Sequence, residues 1–167
     1  MEQVTHLSVA AVSGVLLAYG VAGFFGNVAA GWLVGRGPRL AIVSAAGLIV
    51  LMALALLLAG QHPALAVVAI TVWGFSFVIL PVAFQTWLIK AAPDHTEGVG
   101  GLFVCAFQVA IASGALGGGL LVDQMGARGG PAIALVAMAL GIALTLRFGP
   151  RAKPAQPLAQ AAFKPAS

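Results

Sequence analysis

Four long stretches of the sequence carry no charged side chain: residues 3–35, 40–89, 98–122 and 129–146, of 33, 50, 25 and 18 residues, together 126 of 167. About 20 predominantly apolar residues cross the hydrocarbon of a bilayer as a helix, so these runs hold several crossings and leave almost nothing for a water-facing domain. Composition points the same way. Only 7% of the residues are charged and 61% are hydrophobic, whereas a soluble domain is about a quarter charged. A globular enzyme or a nucleic-acid reader lacks the polar cover it would need.

The 50-residue run is too long for one helix, and Gly60-Gln61-His62-Pro63 divides it with a Pro/Gly turn. The sequence therefore predicts an all-α integral membrane protein with five transmembrane helices at about 7–34, 40–60, 64–89, 98–122 and 130–148. A strand barrel is disfavoured, because the runs lack in-out alternation. Residues 1–149 form one transmembrane domain, and residues 150–167, with Pro150, Pro154, Pro157 and Pro165 among Ala and Gln, read as a disordered tail. No Lys or Arg precedes the first run, only Glu2, and that run is far longer than a signal-peptide core, so no cleaved leader is expected.

Five crossings put the N-terminus and loops 60–63 and 123–129 on one side. Loops 35–39 and 90–97 share the other with the C-terminal tail. The first side carries one basic residue, Arg128; the second carries seven, Arg36, Arg39, Lys90, Arg147, Arg151, Lys153 and Lys164. Basic loops stay in the cytoplasm, so the second side is expected inside and the N-terminus outside, in the cell (inner) membrane. The net charge of +4 is thus a topology signal and not a nucleic-acid footprint. Trp32 and Trp87 fall near the cytoplasmic helix ends, where indole rings favour the headgroup level.

Most of the 22 glycines lie inside the spans, where small residues let membrane helices approach closely. Gly23, Asn27 and Gly31 recur at four-residue spacing, as do Ala110, Gly114 and Gly118, with Gly117 beside them. Each set lines one helix face and reads as a packing seam, or as a face on which helices slide during a conformational cycle. Polar residues at depth are few and costly without a partner. Asn27, Gln108 and Ser113 lie deepest, with Ser76 and Gln85 on the third span. Gln108 stands about ten residues, or about 15 Å, into its span, near the midplane. Asn27 and Gln108 either hydrogen-bond neighbouring helices or line a polar cavity that touches substrate. Trp73, Phe75 and Phe77 could wall such a cavity or simply pack.

Catalytic chemistry finds no residues to run on. His6, His62 and His95 fall in loops or termini, and no span interior holds Asp, Glu, His, Lys or Arg. An intramembrane hydrolase needs a carboxylate pair or an activated nucleophile at depth. No GxxxxGK[ST] phosphate loop is present. The lone Cys105 excludes an internal disulfide and a cysteine metal site. Asp94, His95 and Glu97 read as a solvated loop after Pro93. No catalytic residue, metal or cofactor is expected.

The stretch Gly31-Trp32-Leu33-Val34-Gly35-Arg36-Gly37-Pro38-Arg39 resembles the G-x-L-x-D-R-x-G-R/K cytoplasmic loop motif of the major facilitator superfamily of secondary transporters. Gly31, Leu33, Arg36 and Arg39 match it; Gly35 stands where the acid falls, and Pro38 replaces a glycine. Trp73-Gly74, Pro81, Gln85 and Ala92-Pro93-Asp94 are similar to the tenth helix and following loop of sugar- and drug-efflux members. Ser113 to Asp123 with Gly126 resembles their glycine-rich eleventh helix. The resemblance covers about residues 7–148 and implies helices eight to twelve of a twelve-helix efflux transporter, a partial fold. It also implies that each half consists of two inverted three-helix units, the first lacking its leading helix here.

Taken together, the expected function is secondary transport. The parent protein would carry out ion- or proton-coupled efflux of a small solute by alternating access, with a complementary N-terminal half as partner and the bilayer as solvent. The chain is not expected to be active alone. The alternative is a non-transporting multi-span scaffold or assembly subunit that uses its glycine faces only to bind other helices.

Overall fold

A computed structural model describes residues 9–60 and 62–149. Gln61, the first eight residues and the proline-rich tail lie outside the described residues. Five long helices follow one another: α1 (Val9–Arg36), α2 (Pro38–Ala59), α3 (Pro63–Ala91), α4 (Thr96–Met125) and α5 (Gly129–Phe148). Single 3-10 turns at Pro93–His95 and Gly126–Arg128 precede α4 and α5. Four segments are long and apolar enough to cross a membrane: Ser13–Arg36, Pro38–Leu58, Pro63–Ala91 and the 56-residue Pro93–Phe148, which contains both α4 and α5. The described residues contain no strand.

Local chemistry explains the breaks. Pro38 and Pro63 sit in the first turn of α2 and α3, where a proline's missing amide hydrogen costs nothing and its fixed φ suits a helix. Between α1 and α2 stands one residue, Gly37, at φ 154°, a backbone conformation that side chains resist. Gly126, at φ 65°, ends α4 in the same way. Pro81 lies within α3 and has no amide to give the Phe77 carbonyl one turn back.

The core runs along α2. Ala41, Ala45, Ile49 and Ala53 recur every four residues on it and are buried, and the three alanines let neighbouring helices come close around the larger Ile49. Around them gather Ala30 and Val34 of α1 and Ile79, Leu80 and Ala83 of α3, with Met138 and Ile142 of α5 against the edge. The broad interfaces are α1 with α3, α2 with α3, and α2 with α5; α4 leans on α5 and touches α3 only slightly. No residue of α4 is buried. Large apolar side chains, among them Leu16, Phe24, Leu58, Leu102, Leu116 and Leu140, point outward, a surface suited to lipid or to further helices and unsuited to water.

Hydroxyls inside the helices satisfy themselves. Ser76, Thr86, Ser113 and Thr145 each donate to the carbonyl four residues earlier, at 2.7–2.8 Å. That is the economical solution where no water competes for the proton.

Candidate substrate pathway and cytoplasmic loop

The backbones of α1 and α3 come close where the two helices cross, and glycine makes the approach possible. Gly26 is buried, and a Cβ built there would overlap the Phe75 carbonyl oxygen and lie 3.0 Å from its carbon. From the other side, a Cβ on Gly74 would stand 2.7 Å from Tyr19 Cδ2 and 2.8 Å from the Tyr19 oxygen. Gly23 faces the same seam, where a Cβ on it would stand 3.4 Å from Val78 Cγ2. A Cβ on Gly31, eight residues on in the same four-residue series, would have nothing within 4 Å. The seam therefore follows a three-residue step, Gly23 to Gly26. Both three and four residues bring helix side chains onto one face, so spacing alone could not choose between them. On α4, a Cβ on Gly117 would stand 3.2 Å from Ile133 Cδ1, whereas one on Gly114 or Gly118 would face open space.

Of the polar candidates, Asn27, Gln85, Gln108 and Ser113 are exposed. Ser113 is satisfied within its own helix. The side-chain hydrogen bonds among the described residues include none to Asn27, Gln85 or Gln108. Trp73 is half-buried and packs against the core, with Phe75 and Phe84. Asn27 adjoins Gly26 on α1, while Gln108 lies on α4, twelve residues or about 18 Å from its start at Thr96. A shallow cavity of about 280 Å³ opens elsewhere, between Leu56, Leu57, Leu58 and Gly60 at the end of α2 and Ala127, Arg128 and Pro131 around the start of α5.

The loop residues Arg36 and Arg39 have different occupations. The Arg36 guanidinium lies over the Trp32 ring, 3.3 Å from its centroid, a cation–π contact between residues one helical turn apart. Arg39 reaches across to α5, where its Nη2 donates to the Leu146 carbonyl oxygen at 2.7 Å. That oxygen is one of the four that a helix leaves without an internal partner at its C-terminus, and a cation is favoured at that pole. The contact joins residues 107 apart, and no sequence pattern announces it. Because Arg39 is partly exposed, Arg39→Ala is expected to loosen the end of α5 by about 1 kcal/mol. Backbone amides of residues 142–148 would then exchange about fivefold faster with solvent deuterium; unchanged exchange would show that the contact contributes nothing.

An all-helical body of this length, with membrane-spanning apolar helices and backbone approaches at glycine, defines a polytopic integral membrane protein. The family model of the Major Facilitator Superfamily matches residues 1–166, and the chain belongs to that superfamily. It is 38% identical over 126 residues to the "Transcription regulatory protein OpdE" of Pseudomonas aeruginosa, covering 75% of this chain and 31% of that protein. It is 34% identical over 112 residues to the "Purine ribonucleoside efflux pump NepI" of Salmonella paratyphi B, covering 67% of this chain and 28% of the pump. The Escherichia coli O6:H1 protein of the same name is 33% identical over 112 residues, with the same coverage. The chain thus spans about a third of the length of the curated relatives it matches. No solved structure matches it.

Proposed function

We propose that the chain is the part of a major facilitator transporter corresponding to helices eight to twelve, and that the whole protein exports a small uncharged solute by alternating access. The observation that carries this reading is the pair of amides on apolar helices. Asn27 and Gln108 stand exposed, without a side-chain hydrogen bond among the described residues, on α1 and α4. An amide in hydrocarbon is costly, so each needs a polar surface beyond this five-helix body. A solute passage completed by the rest of the transporter supplies one.

An amide both donates and accepts hydrogen bonds, which suits a solute bearing hydroxyl or amine groups better than a bare ion. A purine ribonucleoside, the solute named for the Salmonella and Escherichia pumps, is of that kind. We take neutral nucleosides as the first substrate class to examine. Coupling to protons needs a carboxylate that can change its charge within the membrane. The span interiors here hold no Asp or Glu, so that group belongs to the complementary half.

Gln108→Leu separates a substrate contact from a structural one. In the completed transporter, loss of a substrate hydrogen bond is expected to weaken nucleoside binding by about tenfold, with the thermal midpoint retained. A lowered midpoint with unchanged affinity would assign Gln108 to helix packing instead.

The inside-positive charge pattern supports an N-terminus outside and a tail in the cytoplasm. In a Cys105→Ala background, Asp94→Cys should react only with membrane-permeant thiol reagents. His62→Cys should react also with impermeant reagents added to whole cells, both parent side chains being exposed. The opposite pattern of labelling would invert the topology.

A further inference from the structure

α2 and α5 lie side by side over a broad interface, and the two ends of that interface are finished differently. Where α2 begins, Arg39 reaches the Leu146 carbonyl oxygen and ties the helices together. Where α2 stops and α5 starts, a cavity of about 280 Å³ stands between them. Leu56, Leu57 and Leu58 line it from α2 and Pro131 from α5, and Arg128 is its one charged lining residue. Leu58 is also the last residue of the apolar segment Pro38–Leu58. The cavity therefore lies at the limit of the hydrocarbon, where phospholipid headgroups begin.

Leucine walls hold water poorly and an acyl chain well. Two polar features flank them. Arg128 is exposed and does not cap α5, and the side-chain hydrogen bonds among the described residues include none from it. On the other side of the cavity is the C-terminal pole of α2. The Leu56 carbonyl there accepts from the Gly60 amide, but Pro63 has no amide hydrogen to offer the Ala59 carbonyl four residues back.

These two features ask for different groups. A guanidinium pairs with a phosphodiester through parallel N–H donors. Open carbonyls at the negative pole of a helix repel a phosphate and need a donor. The turn 123–129 carries Asp123 as well as Arg128 and so has no net charge. Recognition then depends on contact and not on a general attraction of anions.

We infer that this cavity binds one glycerophospholipid of the surrounding bilayer, of the class whose head carries a hydrogen-bond donor beyond the phosphate. An acyl chain lies along Leu56, Leu57 and Leu58, the phosphate meets Arg128, and the ammonium of an ethanolamine head or the hydroxyls of a glycerol head meet the α2 carbonyls. Phosphatidylcholine, whose nitrogen bears three methyl groups and no N–H, satisfies half of the site. Free phosphate leaves the leucines uncovered. The inference requires neither transport nor a particular orientation in the membrane, so it stands or falls apart from the functional reading.

The full chain, purified in a neutral detergent and analysed intact by native mass spectrometry, reports bound lipid directly. The probes are dioleoyl phosphatidylethanolamine, phosphatidylglycerol and phosphatidylcholine, offered in equal amounts. The chain is expected to retain one molecule of either donor-bearing lipid about fivefold more than phosphatidylcholine. Arg128→Gln should lower that retention about tenfold. Lys90→Gln, which removes another exposed cation at the end of α3, should leave it unchanged. An excess of inorganic phosphate should not displace the lipid. Equal retention of the three lipids, equal loss in the two variants, or displacement by phosphate would overturn the inference. The thermal midpoint gives a second reading that does not depend on transfer to the gas phase. Phosphatidylethanolamine should raise it for the parent chain and not for Arg128→Gln, and an equal rise in both would also overturn the site.

Discussion

Gly26→Leu is expected to abolish the folded five-helix body, whereas Gly20→Leu, one and a half turns away on the same helix, should be tolerated. The difference lies in what a side chain would meet. At Gly26 every near atom belongs to the backbone of Phe75, the closest being its carbonyl oxygen, and a backbone within α3 cannot turn aside as a side chain can. At Gly20 nothing lies within 4 Å. Overpacking by a methylene or two costs about 1–3 kcal/mol in a tight core. Leucine adds four heavy atoms at the centre of a broad interface, so α1 and α3 must separate rather than adjust. Gly26→Ala should act in the same direction and more weakly. Gly74→Ala should be milder again, because two of the three atoms it meets belong to the Tyr19 ring, which can move. Monodisperse yield after detergent extraction, with the thermal midpoint, checks this order. Equal yields for Gly26→Leu and Gly20→Leu would contradict the close crossing.

The all-helical membrane class was legible because charge is excluded from hydrocarbon, so long uncharged runs call for apolar helices. Helix ends are a different quantity. α4 begins at Thr96 and continues through Asp123 to Met125, because backbone hydrogen bonding carries on past the end of the uncharged run. The charges therefore marked the limits of the apolar runs and not the last turn. Helix faces were harder to read for a related reason. α1 and α3 are apolar nearly all round, so no polar side betrays which residues meet a neighbour. Gly23 sits on the α1–α3 seam while Gly31 faces outward. Their shared four-residue spacing holds no information about where α3 will lie. Trp73, an aromatic beside polar candidates in the sequence, packs against the core once α2 and α3 close on each other. The partner of Arg39 is a backbone carbonyl 107 residues away, and tertiary structure alone brings it near.

The second large effect separates the chain from the transporter to which it is assigned. Alternating access requires two bodies that rock about a site between them. Helices α1 to α5 form one connected body with a single line of core along α2. Everted membrane vesicles energised by a proton gradient, and supplied with a radiolabelled purine ribonucleoside, test this directly. The chain joined to the remainder of the Escherichia coli pump is expected to accumulate the nucleoside well above empty vesicles. The chain expressed by itself at the same level should not exceed them. Accumulation by the chain alone would contradict the account, as would a joined protein that is folded and inserted in the membrane and yet moves no nucleoside.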